Sequence, residues 1–332
     1  MKERVTGKFL PASPVELPGE IQEQEKKAHR LEVITVIYLF TVIILMYLTL
    51  SSSQAMKAAW LEDLLSILPS VTFLVASRIH NKKPTFMFPG GFHRVFRIGF
   101  AIGAIALLAM GIYIVIDSVL ALVKAEHPTI PHQQVFGYQV WFGWIMILAL
   151  LYSFVPAMIL GIKKMPLSKI LHNKLLNVDA DTQKADWLTA LAAITGIILV
   201  GFGLWWADAA AAILISVLIL RDGVNMISNA IGDLMGKIPT TVEGEIDPVN
   251  MTVIDFFMKQ EWVKDVRIRL REEGQVFSGE VFVIPYREEN IMTNIENAVA
   301  QVKKLDWKIH EITVQPVKAF HSHQAETETS RS

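Results

Sequence analysis

The stretch VITVIYLFTVIILMYLTL, residues 33–50, carries no charged side chain and is rich in isoleucine, leucine and valine. An α-helix rises about 1.5 Å per residue, so roughly 20 apolar residues cross a hydrocarbon core about 30 Å thick. The stretch is therefore long enough to span a membrane. The first 30 residues are polar and charged, unlike the apolar core of a secretory signal peptide. We expect an uncleaved membrane anchor.

Five further apolar runs follow along the chain. They lie at 64–77, 98–123, 135–162, 187–206 and 207–220. The first and last of these five are short, but each reaches a spanning length if polar neighbours are included. One run then takes in Glu62 and Asp63, and the other takes in Arg221 and Asp222. The pattern predicts an α-helical membrane protein with six transmembrane helices.

The overall composition excludes several classes of protein. Hydrophobic residues make up 52% of the 332 residues and charged residues 19%, against roughly 25% charged in an ordinary soluble domain. The formal net charge of −1 argues against a nucleic-acid partner, which a positive surface would attract. The chain has no cysteine, so disulfides, cysteine zinc sites, iron–sulfur clusters and thiol nucleophiles are excluded.

Lysine and arginine are distributed unevenly between the connections. The N-terminal tail carries six of them, and the segments 78–97 and 163–184 carry five each. The alternate connections carry only Lys57, Lys124 and, at 201–208, none. Positive charge stays on the cytoplasmic side of membranes, so we expect a multi-pass protein with both termini in the cytoplasm. Without organelle signals, a bacterial inner membrane is the expected location.

Beyond about residue 238 the chain is typical of a small soluble domain. Its predicted elements are a helix at 248–260, strands at 266–270 and 276–285, a helix at 292–305 and a strand at 309–314. This αββαβ order predicts a two-layer α+β sandwich. The chain then divides into a polar tail (1–30), the six-helix domain (31–238), a cytoplasmic αββαβ domain (239–318) and a disordered tail (319–332).

Acidic and hydroxyl side chains interrupt the second and fifth predicted helices. A charged residue inside a span costs roughly 2.5–3.5 kcal/mol on insertion scales, so it indicates function. Glu62 and Ser66 are four residues apart, as are Thr182 and Asp186, and such pairs share one helix face. Two facing pairs would form a site with four oxygen ligands.

Other interpretations of these residues remain open from the sequence. Glu62 and Asp63 could instead lie, hydrated, at the outer membrane interface. Asp186 could lie at the inner membrane boundary, because the apolar run begins directly after it. Serine and threonine in membrane helices often hydrogen-bond to the backbone. Asp63 and Asp181, each next to one of the four residues, are the reserve candidates for metal ligands.

Three local motifs, taken with the six-helix plan and the αββαβ tail, resemble one known family. FPGGFHR at 88–94 is similar to an aromatic-Gly-x-Gly loop before the third helix. WAD at 206–208 resembles an acidic residue that opens the sixth helix, and GDLMGKIP at 232–239 resembles a Leu-x-Asp-x-x-x-Pro exit. In this order and spacing they resemble the cation diffusion facilitator family, over about residues 33–318.

The resemblance implies export of divalent metals, commonly zinc, in exchange for protons by a dimer joined partly through the cytoplasmic domain. The family's transport site uses Asp or His with Asp on the second helix, and His or Asp with Asp on the fifth. Those positions correspond here to Glu62, Ser66, Thr182 and Asp186. Asp186 keeps the usual residue and Glu62 keeps a carboxylate, whereas hydroxyls replace the other two ligands.

This departure changes the expected ion. Zinc prefers imidazole and thiolate, whereas harder ions such as Mn²⁺ accept carboxylate, hydroxyl and water oxygens. None of the nine histidines falls within a predicted span. The sequence therefore predicts a site for a Mn²⁺-like or Fe²⁺-like ion, with Glu62 and Asp186 exchanging protons for metal. No cofactor is expected.

The sequence also bears on functions other than proton-coupled transport. The chain lacks the His-Glu-x-x-His and Gly-x-Ser-x-Gly motifs of enzymes and has no P-loop, so we expect neither an enzyme nor an ATP-driven pump. The hydroxyl substitutions favour an alternative, a non-transporting family member that acts as a structural or regulatory partner in a heterodimer.

The soluble domain holds few of the ligands through which this family often binds additional metal. Only His310 lies in its folded part, with His321 and His323 in the tail. We predict no strong metal site there. The expected homodimer would form through the cytoplasmic and transmembrane domains, with apolar strand and helix surfaces in contact.

Overall fold

The computed structural model describes residues 17–80, 82–92, 94–135 and 138–320. The chain divides into two compact units, Met1–Lys237 and Ile238–Ser332, and each is described by itself. Residues 1–16 of the predicted N-terminal tail lie outside the described residues. So does the predicted C-terminal tail from His321 onward, including His323.

The first unit contains six long helices, each long and apolar enough to cross a membrane. They are α1 Gly19–Thr49, α2 Gln54–His80, α3 Val95–Val123, α4 Phe142–Ile170, α5 Lys174–Gly201 and α6 Trp206–Leu234. The prediction of six spanning helices is confirmed.

Several helices extend well beyond their apolar runs. Helix α1 begins at Gly19, through a Glu-, Gln- and Lys-rich stretch of good helix formers. Helix α5 begins at Lys174, where the Asn173 side chain accepts a hydrogen bond from the backbone N–H of Leu176 at 3.0 Å. This cap starts the helix one residue after Asn173. Asp186 therefore lies near the middle of α5 rather than at the beginning of the helix.

The start of the fourth predicted helix also differs. Residues His132–Val135 and Tyr138–Trp141 form antiparallel strands β1 and β2, and α4 begins only at Phe142. The stretch before α4 contains the β-branched and aromatic residues that favour strands. The hairpin shortens the apolar run that the sequence assigned to a single helix.

Two apolar cores occupy opposite ends of the helix bundle. The hairpin-end core gathers the buried residues Val42, Met46, Met56, Leu61, Met146, Leu150, Ala193, Ile197 and Ile215. The N-end core gathers Ala28, Phe73, Phe96, Phe100, Leu171, Leu176 and Met226. Along α1, α2 and α5, the helix segments between these two cores carry buried polar side chains. We call this region the polar layer.

Asp208, at the start of α6, forms hydrogen bonds with residues at the start of α2. Its carboxylate accepts hydrogen bonds from the Ser53 hydroxyl at 2.6 Å and from the backbone N–H groups of Gln54 and Ala55. The first N–H groups of a helix have no partner within the helix. The acidic residue of the WAD motif thus caps the neighbouring helix α2.

The second unit has the predicted αββαβ order. It consists of α7 Val249–Met258, β3 Val263–Glu273, β4 Val276–Pro285, α8 Ile291–Val302 and β5 Ile309–Pro316. Strand β4 is central, antiparallel to β3 and parallel to β5. Val253, Phe257, Phe277, Val281 and Val302 form its core with no exposed area. The α+β fold predicted for this region is confirmed.

Candidate metal site

Helices α2 and α5 pack against each other in the polar layer. Glu62 and Ser66 lie on consecutive turns of α2, and Thr182 and Asp186 lie on consecutive turns of α5. Ser66 and Asp186 are each 7% exposed, and Glu62 and Thr182 are half-buried. All four positions lie inside long helices rather than at their ends.

Glu62 and Asp186 place two carboxyl groups on helices α2 and α5, which pack against each other, and Asp63 adds a third next to Glu62 on α2. Like charges held together in a buried setting need compensation by protons or by a cation. This pairing is what a site for a dication requires.

The two reserve ligands differ in their surroundings. Asp63 is buried, and the Ser153 hydroxyl on α4 lies 2.8 and 2.9 Å from its two carboxylate oxygens. Asp181 is exposed on α5, and its charge acts on Asp222 of α6. Asp63 therefore adds charge beside the Glu62–Asp186 pair, whereas Asp181 points elsewhere.

The structure shows one of the two roles that the sequence left open for Ser66, the hydrogen bond to the backbone. Its hydroxyl donates to the backbone oxygen of Glu62 at 3.0 Å. This bond uses the single hydroxyl proton and leaves the oxygen lone pairs able to accept or to coordinate. The backbone bond therefore does not prevent Ser66 from acting as an oxygen ligand.

Thr189 is a further hydroxyl beside the candidate ligands that sequence reasoning missed. Its buried side chain donates a hydrogen bond to the backbone oxygen of Asp186 at 2.8 Å, which leaves its oxygen lone pairs able to accept. Thr189 is three residues after Asp186, a spacing that places it on the same helix face and could have indicated it.

A second polar group in the layer was also missed. Lys164 of α4 lies with its side chain fully buried, 2.9 Å from Glu32 of α1 and 2.5 Å from Asp179 of α5. From the sequence, Lys164 is expected to lie in the basic connection 163–184. That assignment is wrong because α4 continues to Ile170 and encloses this side chain in the bundle.

Two of the described histidines lie in helices of the first unit. His29 lies within α1 and His80 ends α2, and both positions lie outside the apolar runs that the sequence assigns to the membrane. His80 packs its ring on Phe96, which belongs to the N-end core. Among the described residues, no three His, Cys, Asp or Glu side chains are arranged to bind one ion. Metal binding here would therefore also need hydroxyl, backbone or water oxygens.

Two comparisons with known proteins bear on this arrangement. The family model described as "Cation efflux transmembrane domain" matches residues 31–235, which include all four candidate ligands. The manganese efflux system protein MneP of Bacillus subtilis (strain 168) is 28% identical over 229 residues. That alignment covers 67% of this chain and 71% of the relative.

Proposed function

Because this chain belongs to the cation efflux family, we propose that it exports a hard or borderline divalent cation, with Mn²⁺ favoured over Zn²⁺, in exchange for protons. Glu62, Ser66, Thr182 and Asp186 are the proposed ligands. The coarser function, cation efflux through a multi-pass membrane protein, follows from the family and the six spanning helices.

The observation that carries the proposal is that Glu62, half-buried on α2, and Asp186, buried on α5, lie on two helices that pack against each other. Two carboxylates balance the charge of one dication, and hydroxyl and water oxygens can complete its shell. A site made only of oxygen lacks the imidazole and thiolate that zinc prefers. The name of the Bacillus relative, a manganese efflux protein, agrees with this preference.

Proton exchange follows from the same carboxyl groups. A carboxyl must be deprotonated to bind a metal ion, so metal binding releases protons and metal release allows protons to return. Metal affinity is therefore expected to increase as the pH rises. An exporter that alternates between the two faces would carry protons opposite to the metal.

The central test is Mn²⁺ flux in proteoliposomes that contain the purified protein. Asp186→Asn keeps the side-chain shape but removes the charge, and we expect flux to fall by roughly tenfold or more. Asp255→Asn, an exposed aspartate of α7, removes the same charge in the other unit and serves as the matched control. An internal pH dye should report proton movement against Mn²⁺ in the parent protein and none in Asp186→Asn.

Unchanged Mn²⁺ flux in Asp186→Asn would contradict the assigned site. A parent protein that is folded yet transports neither Mn²⁺ nor Zn²⁺ would favour the alternative function, that of a non-transporting partner in a heterodimer. The hydroxyls at Ser66 and Thr182 are the feature that favours this alternative. Co-purification of a second family member with the chain would then be expected.

A further inference from the structure

The buried ammonium group of Lys164 lies between two acidic side chains from different helices. Lys164, on α4, lies 2.9 Å from Glu32 on α1 and 2.5 Å from Asp179 on α5. The side chains of Lys164 and Glu32 have no exposed area, and that of Asp179 is 3% exposed. A buried charge is stable only when it is paired and hydrogen-bonded, so these three groups depend on one another.

Further hydrogen bonds close a ring around Asp179. The Ser70 hydroxyl on α2 donates to one Asp179 oxygen at 3.2 Å. The Gln183 amide donates to both Asp179 oxygens at 3.2 and 3.3 Å. The Asp179 carboxylate on α5 thus accepts hydrogen bonds from side chains on α2, α4 and α5, and Lys164 links the same cluster to Glu32 on α1.

This cluster continues the polar face that carries the proposed metal ligands. Glu62, Ser66 and Ser70 follow one another at four-residue steps on α2, and Asp179 precedes Asp186 by seven residues on α5. At 1.5 Å per residue, the cluster lies about 10–12 Å along the helices from the Glu62–Asp186 pair. The next buried residues along α2 and α5 toward the N-end core, such as Phe73 and Leu176, are apolar.

We propose that Lys164 is a tethered cation that closes the passage between the Glu62–Asp186 pair and the N-end core. Its ammonium group occupies the position between the Glu32 and Asp179 carboxylates where a mobile cation would otherwise bind. A lysine ammonium is a point charge on a flexible stem, so it can leave one carboxylate without a change of backbone. A dication that enters from the N-end core displaces it from Asp179. The displacement step rests on the transport function proposed above, whereas the closure does not.

The absence of cysteine from the chain makes closure measurable with single introduced thiols. Thr35→Cys is the probe: Thr35 has no exposed area, lies one turn beyond Glu32 on α1, and bonds only to the Leu31 carbonyl of its own helix. Val42→Cys, equally buried in the hairpin-end core, is the matched control. A charged, membrane-impermeant methanethiosulfonate reagent is applied separately to each face of sealed vesicles.

Three backgrounds separate closure from general packing. The first is the unchanged chain. The second is Glu32→Gln, which keeps the Lys164–Asp179 pair. The third is Glu32→Gln with Lys164→Gln, which removes one charge of each sign and so leaves the net charge of the bundle unchanged.

We expect Thr35→Cys to react roughly tenfold faster in the double variant than in the unchanged chain, and from one face only. Glu32→Gln alone should keep the slow rate, and Val42→Cys should stay slow throughout. MnCl₂ should accelerate the Thr35→Cys reaction in the unchanged chain, because the ion displaces Lys164.

Equal Thr35→Cys reaction rates in the unchanged chain and the double variant would show that Lys164 has only a structural role, and would overturn the proposal. Faster reaction of both thiols would show that the bundle loosens as a whole, which also overturns it. Labelling does not require transport. A chain that moves no Mn²⁺ but shows the double-variant acceleration therefore contradicts the transport function and leaves the closure intact.

Discussion

Thr182 is the residue at which ion preference is most easily tested. It lies one turn before Asp186 on α5, where its hydroxyl offers a hard oxygen ligand. Thr182→His would add an imidazole, which zinc prefers. We expect the ratio of Zn²⁺ to Mn²⁺ flux to rise by roughly tenfold, measured by competition in proteoliposomes.

Thr182→Asn is the matched control for this change, since it adds bulk and an amide oxygen but no imidazole. Its Zn²⁺ to Mn²⁺ ratio should stay near that of the parent. If Thr182→His leaves the ratio unchanged while the protein still transports Mn²⁺, Thr182 does not contact the ion.

Among single residues, those that are predictable share a helix face with their partners. The spacing of Glu62 to Ser66 and of Thr182 to Asp186 is visible in the sequence, and Thr189 could have been added by the same rule. Lys164 could not, because its partner Glu32 is 132 residues away. A lysine near the end of an apolar run also resembles an ordinary loop cation. Only the packing of α1 against α4 shows that it is buried.

At the scale of helices, the close contact of α4 with α5 depends on Gly161. A Cβ at this position would lie 2.6 Å from the backbone oxygen of Ala180 and 3.0 Å from the backbone nitrogen of Lys184. Backbone atoms cannot rotate away, so the two helices would have to separate. The contact lies one turn before Lys164, and it brings that lysine within reach of Asp179.

We expect Gly161→Ala to destabilise the helix bundle by roughly 1–3 kcal/mol, as overpacking of a tight contact does. Thermal unfolding of the purified protein in detergent would measure this as a lower Tm. Gly103→Ala on α3 is the matched control, because its Cβ would meet nothing within 4 Å and alanine favours helix. Equal Tm values for the two variants would show that α4 and α5 tolerate separation at Gly161.

The number of helices could be predicted from the sequence, but their ends could not. Hydropathy reports which residues suit lipid, and six apolar runs are enough to count the spans. It does not register that a polar stretch such as 174–186 continues the same helix. The cap at Asn173 and the hairpin before Phe142 set these ends. The position of Asp186 within α5, on which the proposed site depends, therefore required the structure.

At the scale of the whole molecule, the distribution of basic residues predicts the orientation in the membrane. Lys164 no longer counts toward it because it is buried, but the bias of the other lysines and arginines remains. Lys82, between α2 and α3, and Glu126, after α3, are both exposed and lie at opposite ends of α3.

We expect Glu126→Cys to react with an impermeant thiol reagent in intact cells, and Lys82→Cys to react only after the cells are permeabilised. The cysteine-free parent chain provides the background. The opposite pattern would place both termini outside the cytoplasm and would reverse the direction of transport that we propose.

The polar layer between the two apolar cores has a consequence for how this protein tolerates sequence change. Each core is held by carbon contacts, which accept many substitutions of similar volume. The polar layer is held by hydrogen bonds and ion pairs among a few buried groups. Replacing one partner therefore leaves the other buried and unpaired, which destabilises the protein. We therefore expect the residues of the two apolar cores to vary independently of each other during evolution. We expect the residues of the polar layer to change only when both members of a pair are replaced together.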